Sequence, residues 1–346
     1  MNFKYAVLSN LLVLCVAAVC VAQQQQQIPP ARIEAIYFFG QGDGDVAKLR
    51  EALPIKVGDK FASPISLIEM RPKVEEAVRN ASGLPATDVA YVSPGGEEWL
   101  VYVGIAGPSV KKFKYNASPA GNVRLPDEAM RIYREANHAF MNAMRAGHAR
   151  EDDSRGFALS SDDEELRKKQ LAMHEYAVKN EPIIRNVLRS SSEEEHRQAA
   201  AQLLGYSNRS RQQIHELARA SRDADDTVRN NATRALIVLA KSDAKTAAKI
   251  PADDFVEMLN SGEWSDRNKA GGLLAELTRP RPPRLLKTLR SLAFESLAEM
   301  ARWETDHAQP AREILGRIAG IDEHKLRAMA ADDTQVSTLV RAAAKN

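Results

Sequence analysis

Arg229-Asn-Asn-Ala232-Thr-Arg-Ala235-Leu236 carries the pattern from which the fold is read. An alanine is followed three and four residues later by further apolar positions, and Leu239 follows at seven, the spacing of one helix face. The same pattern recurs in Arg197-Gln-Ala-Ala200-Ala-Gln-Leu203-Leu204, Arg267-Asn-Lys-Ala270-Gly-Gly-Leu273-Leu274 and Ala308-Gln-Pro-Ala311-Arg-Glu-Ile314-Leu315. The anchoring alanines Ala200, Ala232, Ala270 and Ala311 lie 32, 38 and 41 residues apart, a period typical of stacked helical hairpins. Small residues let neighbouring helices approach, while Leu204, Leu236, Leu274 and Leu315 fill the layer between them. The expected helix pairs are 182–190 with 193–206, 209–221 with 225–240, 253–260 with 265–278, and 283–303 with 307–319; further helix from Glu323 closes the stack. Acidic residues at the start of the second helices, as in Asp225-Asp-Thr-Val228-Arg229, suit the helix dipole.

These four copies resemble the HEAT repeat family, in the bacterial form also seen in phycobilisome-lyase-type proteins. The fourth copy departs from the pattern, with Ala308 where the arginine stands elsewhere and Pro310 beside it. The resemblance spans roughly residues 182–320. It implies an α-solenoid, an architecture that presents surface and does not by itself imply chemistry.

Upstream the period changes. Residues 32–39 read as a strand with Ile33, Ala35, Tyr37 and Phe39 on one face. A short helix over 46–53 is closed by Pro54, and 55–61 is a connector turning at Gly58-Asp59. A longer helix runs from Ser63 or Pro64 to about Asn80, and strands at 87–92 and 99–105 flank the turn Ser93-Pro-Gly-Gly96. The order strand, helix, helix, strand, strand, with Val57-Gly58-Asp59-Lys60-Phe61 between the helices, resembles the polypeptide-transport-associated (POTRA) domain of cell-envelope proteins. That resemblance implies recruitment of other polypeptides, often by adding a strand at a sheet edge. The expected fold class is therefore mainly α: a HEAT-like α-solenoid preceded by a small α+β, POTRA-like domain.

The domain plan follows. Residues 1–22 form a leader, with Lys4, an apolar run over 5–21 and small residues at the cleavage positions of Cys20-Val-Ala22, so the mature chain starts at Gln23. The apolar run is about 17 residues, at the short edge of what spans a bilayer, and an uncleaved anchor is the alternative. Residues 23–31 are a polar linker, 32–107 the small domain, 108–125 a Pro/Gly-punctuated linker, 126–180 a helical hairpin whose second helix opens at Ser161-Asp-Asp-Glu164, and 181–346 the solenoid. Both cysteines, Cys15 and Cys20, lie in the leader, so the mature chain relies on packing rather than disulfides. This fits a periplasmic or other bacterial envelope protein.

Charge is segregated. Residues 23–107 hold 8 basic and 11 acidic side chains, 126–346 hold 35 of each, and the linker holds Lys111, Lys112, Lys114 and Arg124 with no acid. The linker reads as a solvated tether that offers its lysines to an acidic partner or to anionic headgroups. Arg279-Pro-Arg-Pro-Pro-Arg284 is a second basic feature: Arg279, Arg281 and Arg284 are candidate partner contacts, although the prolines also serve simply to stop one helix and start the next. A neutral array in an exported protein argues against nucleic acid.

No phosphate-binding loop, serine elbow or His-Glu-x-x-His occurs, and no cofactor is expected. Iron-dependent hydroxylases of the HEAT fold carry His-Glu immediately before the recurring alanines; here those positions are Gln198-Ala199, Asn230-Asn231, Asn268-Lys269 and Gln309-Pro310. His174-Glu175 and His215-Glu216 could ligate a metal only if their helices faced one another. The sequence thus points to an exported, non-catalytic interaction scaffold whose partners are envelope proteins or polypeptide segments. A metal-dependent or lyase-type enzyme on the same repeats is the opposing reading, and a membrane-tethered spacer the third.

Overall fold

The computed structural model describes residues 29–42 and 46–345. The expected leader, its cleavage point at Ala22 and Gln23, and most of the polar linker lie outside the described residues. Within them the chain forms β1 (Ala31–Phe39), α1 (Ala47–Ala52), β2 (Lys60–Phe61), α2 (Pro64–Ile68), α3 (Arg71–Ser82), β3 (Ala86–Gly95) and β4 (Glu98–Ile105). These make one sheet of order β2-β1-β4-β3, in which β1 and β4 are parallel.

Three details depart from the sequence reading. A bulge at Glu34, which has no partner between the pairs Ile33–Trp99 and Ala35–Leu100, reverses the alternation of β1. Ile33 therefore faces the small domain's own helices with Ile36, whereas Ala35, Tyr37 and Phe39 face the other way. A one-residue insertion moves every following side chain to the opposite face. The long helix expected from 63 or 64 to 80 is broken at Glu69-Met70, because Pro72 in the first turn of α3 has no amide hydrogen to continue the ladder. Lys60–Phe61 pairs with β1 as a two-residue strand within the expected connector.

The sheet is buried on both faces. One covers Leu49, Leu67, Val74 and Val78; the other sets Phe39, Leu100 and Tyr102 against the helical array. Tyr102 is the centre of that contact, stacked on Tyr37 (5.3 Å between centroids) and packed against Trp264 (5.0 Å) and Trp303 (4.9 Å), with its hydroxyl 2.8 Å from His307 Nδ1.

The rest of the chain is α4 (Asp127–Arg145), a hairpin of β5 (Glu151–Asp152) and β6 (Leu159–Ser160), α5 (Glu164–Ser190), α6 (Glu194–Leu204), α7 (Arg211–Ala220), α8 (Asp226–Ser242), α9 (Ala244–Ala247), α10 (Ala252–Met258), α11 (Trp264–Thr278), α12 (Pro283–Ala301), α13 (Gln309–Ile318), α14 (Glu323–Ala330) and α15 (Val336–Lys345). The N-cap of α5 is Asp163 rather than Ser161, whose hydroxyl bonds Arg150 O instead. Helix α5 turns at Asn180, just before Pro182, so its second half acts as the first helix of the first repeat. Thereafter α6, α8, α11 and α13 stack in succession as one layer, a helical repeat solenoid. Ala200, Ala232, Ala270, Ala311, Leu204, Leu236, Leu274 and Leu315 are all fully buried in one continuous core. In the fourth copy a single 3-10 turn over 306–308 precedes α13 and places Pro310 in its first turn, where a missing amide hydrogen is harmless.

Candidate functional site

Three recurring arginines are the largest fully buried side chains among the described residues. Each bonds the carbonyl six residues before it and an acid of the next repeat. Arg197 bonds Ser191 O and forks onto Asp223 (3.0 and 2.9 Å); Arg229 bonds Asp223 O, Asp266 (2.8 Å) and Glu263; Arg267 bonds Ser261 O and Glu299 (2.9 Å). The fourth copy, lacking this arginine, uses Arg312, which donates to Ala301 O, Trp303 O and Ala330 O. These arginines clamp repeats together and are closed to partners.

Residues 108–125 are not a free tether. They lie extended along the turns that precede the second helices, with a backbone bond to a successive repeat every five residues. Lys111 N donates to Asn260 O, Asn116 N to Arg222 O, and Gly121 N to Ser190 O (2.8, 2.6 and 2.9 Å). Phe113 is buried beneath the Arg222 guanidinium, and the Tyr115 ring faces Arg229 at 4.3 Å. Of the four cations, Lys111 caps Leu292 O and Arg124 pairs with Glu193, while Lys112 and Lys114, on either side of Phe113, are exposed. The sequence reading missed this strap because its bonds come from the backbone; alternation of Phe113 and Tyr115 with lysines was the available signal. At Gly121 an added Cβ would fall 2.5 Å from Ser190 O. Gly121→Val should therefore detach the strap's far end and raise the rate of tryptic cleavage at Lys112 and Lys114 by about tenfold or more; an unchanged rate contradicts the seating described here.

The exposed face of the second-helix layer is polar. The positions before the recurring alanines present Gln198, Asn230, Asn231, Asn268 and Gln309, all half-buried. A cavity of about 180 Å³ opens beside two of them, lined by Asn137, Gln202, Asn230, Asn231, Arg234 and Glu151 among others. Asn231 Nδ2 donates to Gln198 O across the repeat boundary, and Gln202 Nε2 donates to Asn137 Oδ1 (2.8 Å). The β5–β6 hairpin lies over one end, where Glu151 accepts from Arg234 and from Gln170 Nε2. Burial pushes the Tyr206 phenol well above its ordinary value. Lys269 follows Asn268 on α11. Burial, reinforced by the charge of Arg234, pushes its ammonium down to about 8. The His307 imidazole is held below its usual range by burial and by the charge of Lys269.

The remaining sequence candidates are dispersed. Arg281, whose φ is +54°, bonds Ile321 O and Glu323 of the following turn, and so joins repeats. Arg279 and Arg284 are largely exposed beside Glu276 and Asp253. They edge a groove of about 830 Å³ lined by Ala247, Ile250, Leu277 and Leu285. His174 stacks on Phe157 and bonds Tyr206 O through Nδ1, whereas His215 is exposed beside Glu216, which is itself held by Arg189 and Arg219. Among the described residues no three His, Cys, Asp or Glu side chains gather as a metal site, and no helix is long and apolar enough to cross a membrane.

No family model matches the chain, and no curated protein matches it. Solved structures similar to it include an engineered protein (15% identity, TM-score 0.38, covering 64% of this chain and 96% of that one). Two others are a designed armadillo repeat protein in complex with the peptide (KR)4 (15%, 0.37, 63% and 99%) and a computationally designed armadillo repeat protein for modular peptide recognition (15%, 0.36, 63% and 98%).

Proposed function

We propose that this chain is an exported, non-catalytic interaction scaffold of the bacterial envelope, with a HEAT-type array and a POTRA-like module, that holds polypeptide segments along the polar face of its second helices. The observation that carries the reading is the row of half-buried carboxamides Gln198, Asn230, Asn268 and Gln309, each two residues before the recurring alanine of its repeat, with Asn231 following Asn230 in the second. A carboxamide offers donor and acceptor together, which suits the alternating amide and carbonyl groups of an extended polypeptide. The array's own chemistry supports this, since the strap already shows an extended segment held across successive repeats by one backbone bond each. Lys112 and Lys114, which are exposed, support a subsidiary peripheral contact with anionic headgroups.

A photo-cross-linking residue at Asn268, in cells, is expected to give discrete polypeptide adducts identifiable by mass spectrometry, whereas the same residue at the exposed His215 gives none of them. Equal labelling at both places would count against the groove. A stoichiometric transition metal in the purified protein, lost on replacing His174 and His215, would overturn the non-catalytic reading in favour of a metal-dependent enzyme.

A further inference from the structure

One cavity of the array has a size and a wall that specify its guest. The space of about 180 Å³ beside Asn230 and Asn231 is comparable to the apolar cavity of about 150 Å³ that takes one benzene ring. Much of its wall is apolar: Phe140 of α4, Leu166 and Met173 of α5, Tyr206 just after α6, and Val238 of α8. Aromatic rings and a thioether are favourable neighbours for a further ring. Polar groups of the wall are bonded to one another. Gln202 Nε2 donates to Asn137 Oδ1, Gln170 accepts from Ser160 N and donates to Glu151, and Glu151 pairs with Arg234. Arg234 and Glu151 are the charged residues of the lining, so its charges cancel. A charged guest would leave water with no opposite charge to meet it, whereas a neutral ring need break no bond of the wall.

The strap shows what this array holds. It is an extended segment that already seats an aromatic side chain against the repeats. Phe113 is buried beneath the Arg222 guanidinium, with backbone bonds from Lys111 and Asn116 on either side. The cavity offers the same parts: the Arg234 guanidinium, 6.0 Å from the centre of the Phe140 ring, and the carboxamide residues Asn230 and Asn231 in its lining. We propose that the cavity is a subsite for one phenylalanine or tyrosine side chain of a polypeptide lying along the polar face. The proposal rests on the scaffold reading above and adds the anchor residue that the partner must carry.

The test uses the full chain and end-blocked nine-residue peptides of serine with one central residue varied. Calorimetry reads the binding, since a dye would itself compete for the cavity. Phenylalanine or tyrosine at the centre is expected to bind at least about tenfold more tightly than alanine, and glutamate or lysine to gain nothing over alanine. Ala136→Leu and Val238→Phe add bulk to the cavity from two different helices, and each should bring the phenylalanine peptide down to the alanine level. His215→Ala, at an exposed place, should leave it within about twofold. Circular dichroism checks that the variants fold. Retention of the phenylalanine preference in a folded, filled variant would overturn the subsite. Tighter binding of the glutamate or lysine peptide would overturn the neutral guest, and p-cresol alone binding as tightly as the tyrosine peptide would overturn the polypeptide assignment. Failure of the phenylalanine peptide to exceed the alanine one, with adducts still forming at Asn268, would overturn the anchor and leave the scaffold reading standing. Binding by none of the peptides together with absence of those adducts would remove both.

Discussion

Asp223→Ala is expected to lower the stability of the array by about 3–5 kcal/mol, the loss that follows from stranding a buried charge. Arg197 is fully buried, and Asp223 is its one acidic partner, held through two near-parallel bonds of 2.9 and 3.0 Å. Without that carboxylate the guanidinium retains Ser191 O and nothing else of opposite charge. Asp266→Ala should be milder, because Arg229 keeps Glu263, and Glu263 is a third exposed and so partly solvated. The double change Arg197→Met with Asp223→Leu should recover most of the loss, since an apolar pair of similar volume avoids the desolvation of two ions. Urea unfolding followed by helix circular dichroism measures all three. In a repeat array the damage should be local, with faster amide exchange in α6 and α7 than in α11 and α13. A loss under about 1 kcal/mol for Asp223→Ala would mean that the pair is solvated and does not join the repeats.

The helices of the solenoid were legible because their signal is local: alanines and leucines at helical spacing state both the element and its buried face. The joints between repeats were not. Arg197, Arg229 and Arg267 recur at one position, but their acids sit 26, 37 and 32 residues downstream, on a turn in the first case, in the first turn of a second helix in the next and on a first helix in the third. No fixed spacing betrays such pairs. Arg312 shows the same point from the other side, since it performs the joint one residue after the anchoring alanine and uses backbone carbonyls. The carboxamide positions were visible as places where metal ligands do not stand; their common exposure on one face needed the coordinates. The strap was misread as a tether because charge is conspicuous in a sequence and backbone bonding is not. The bulge at Glu34 is likewise silent, for nothing in an alternating run marks a residue that the partner strand skips.

Glu299→Ala should separate the small domain from the array, because a single buried carboxylate gathers groups from three parts of the chain. It accepts from Arg267 Nη1 (2.9 Å) on α11, from the amides of Gly40 (3.2 Å) and Gly42 just beyond β1, and from the Ser109 hydroxyl at the start of the strap. Arg267 in turn donates to Ser109 O and faces the Phe39 ring at 4.9 Å. Removing the carboxylate leaves that guanidinium buried without an acid and three other donors unpaired. The expected loss is about 3–5 kcal/mol from the stranded charge, with about 1–3 kcal/mol more for each donor that water cannot reach. That sum exceeds what the aromatic contacts of Tyr102 restore, since such pairs contribute about 0.5–1.5 kcal/mol each beyond the area they bury. Wild-type protein should therefore unfold in one calorimetric transition and Glu299→Ala in two, the first accompanied by a change in the fluorescence of Trp264 and Trp303. Glu299→Gln keeps an acceptor oxygen but not the charge, and should fall between them. A single transition in Glu299→Ala, displaced by less than about 1 kcal/mol, would show that the sheet is held to the array by its aromatic face alone.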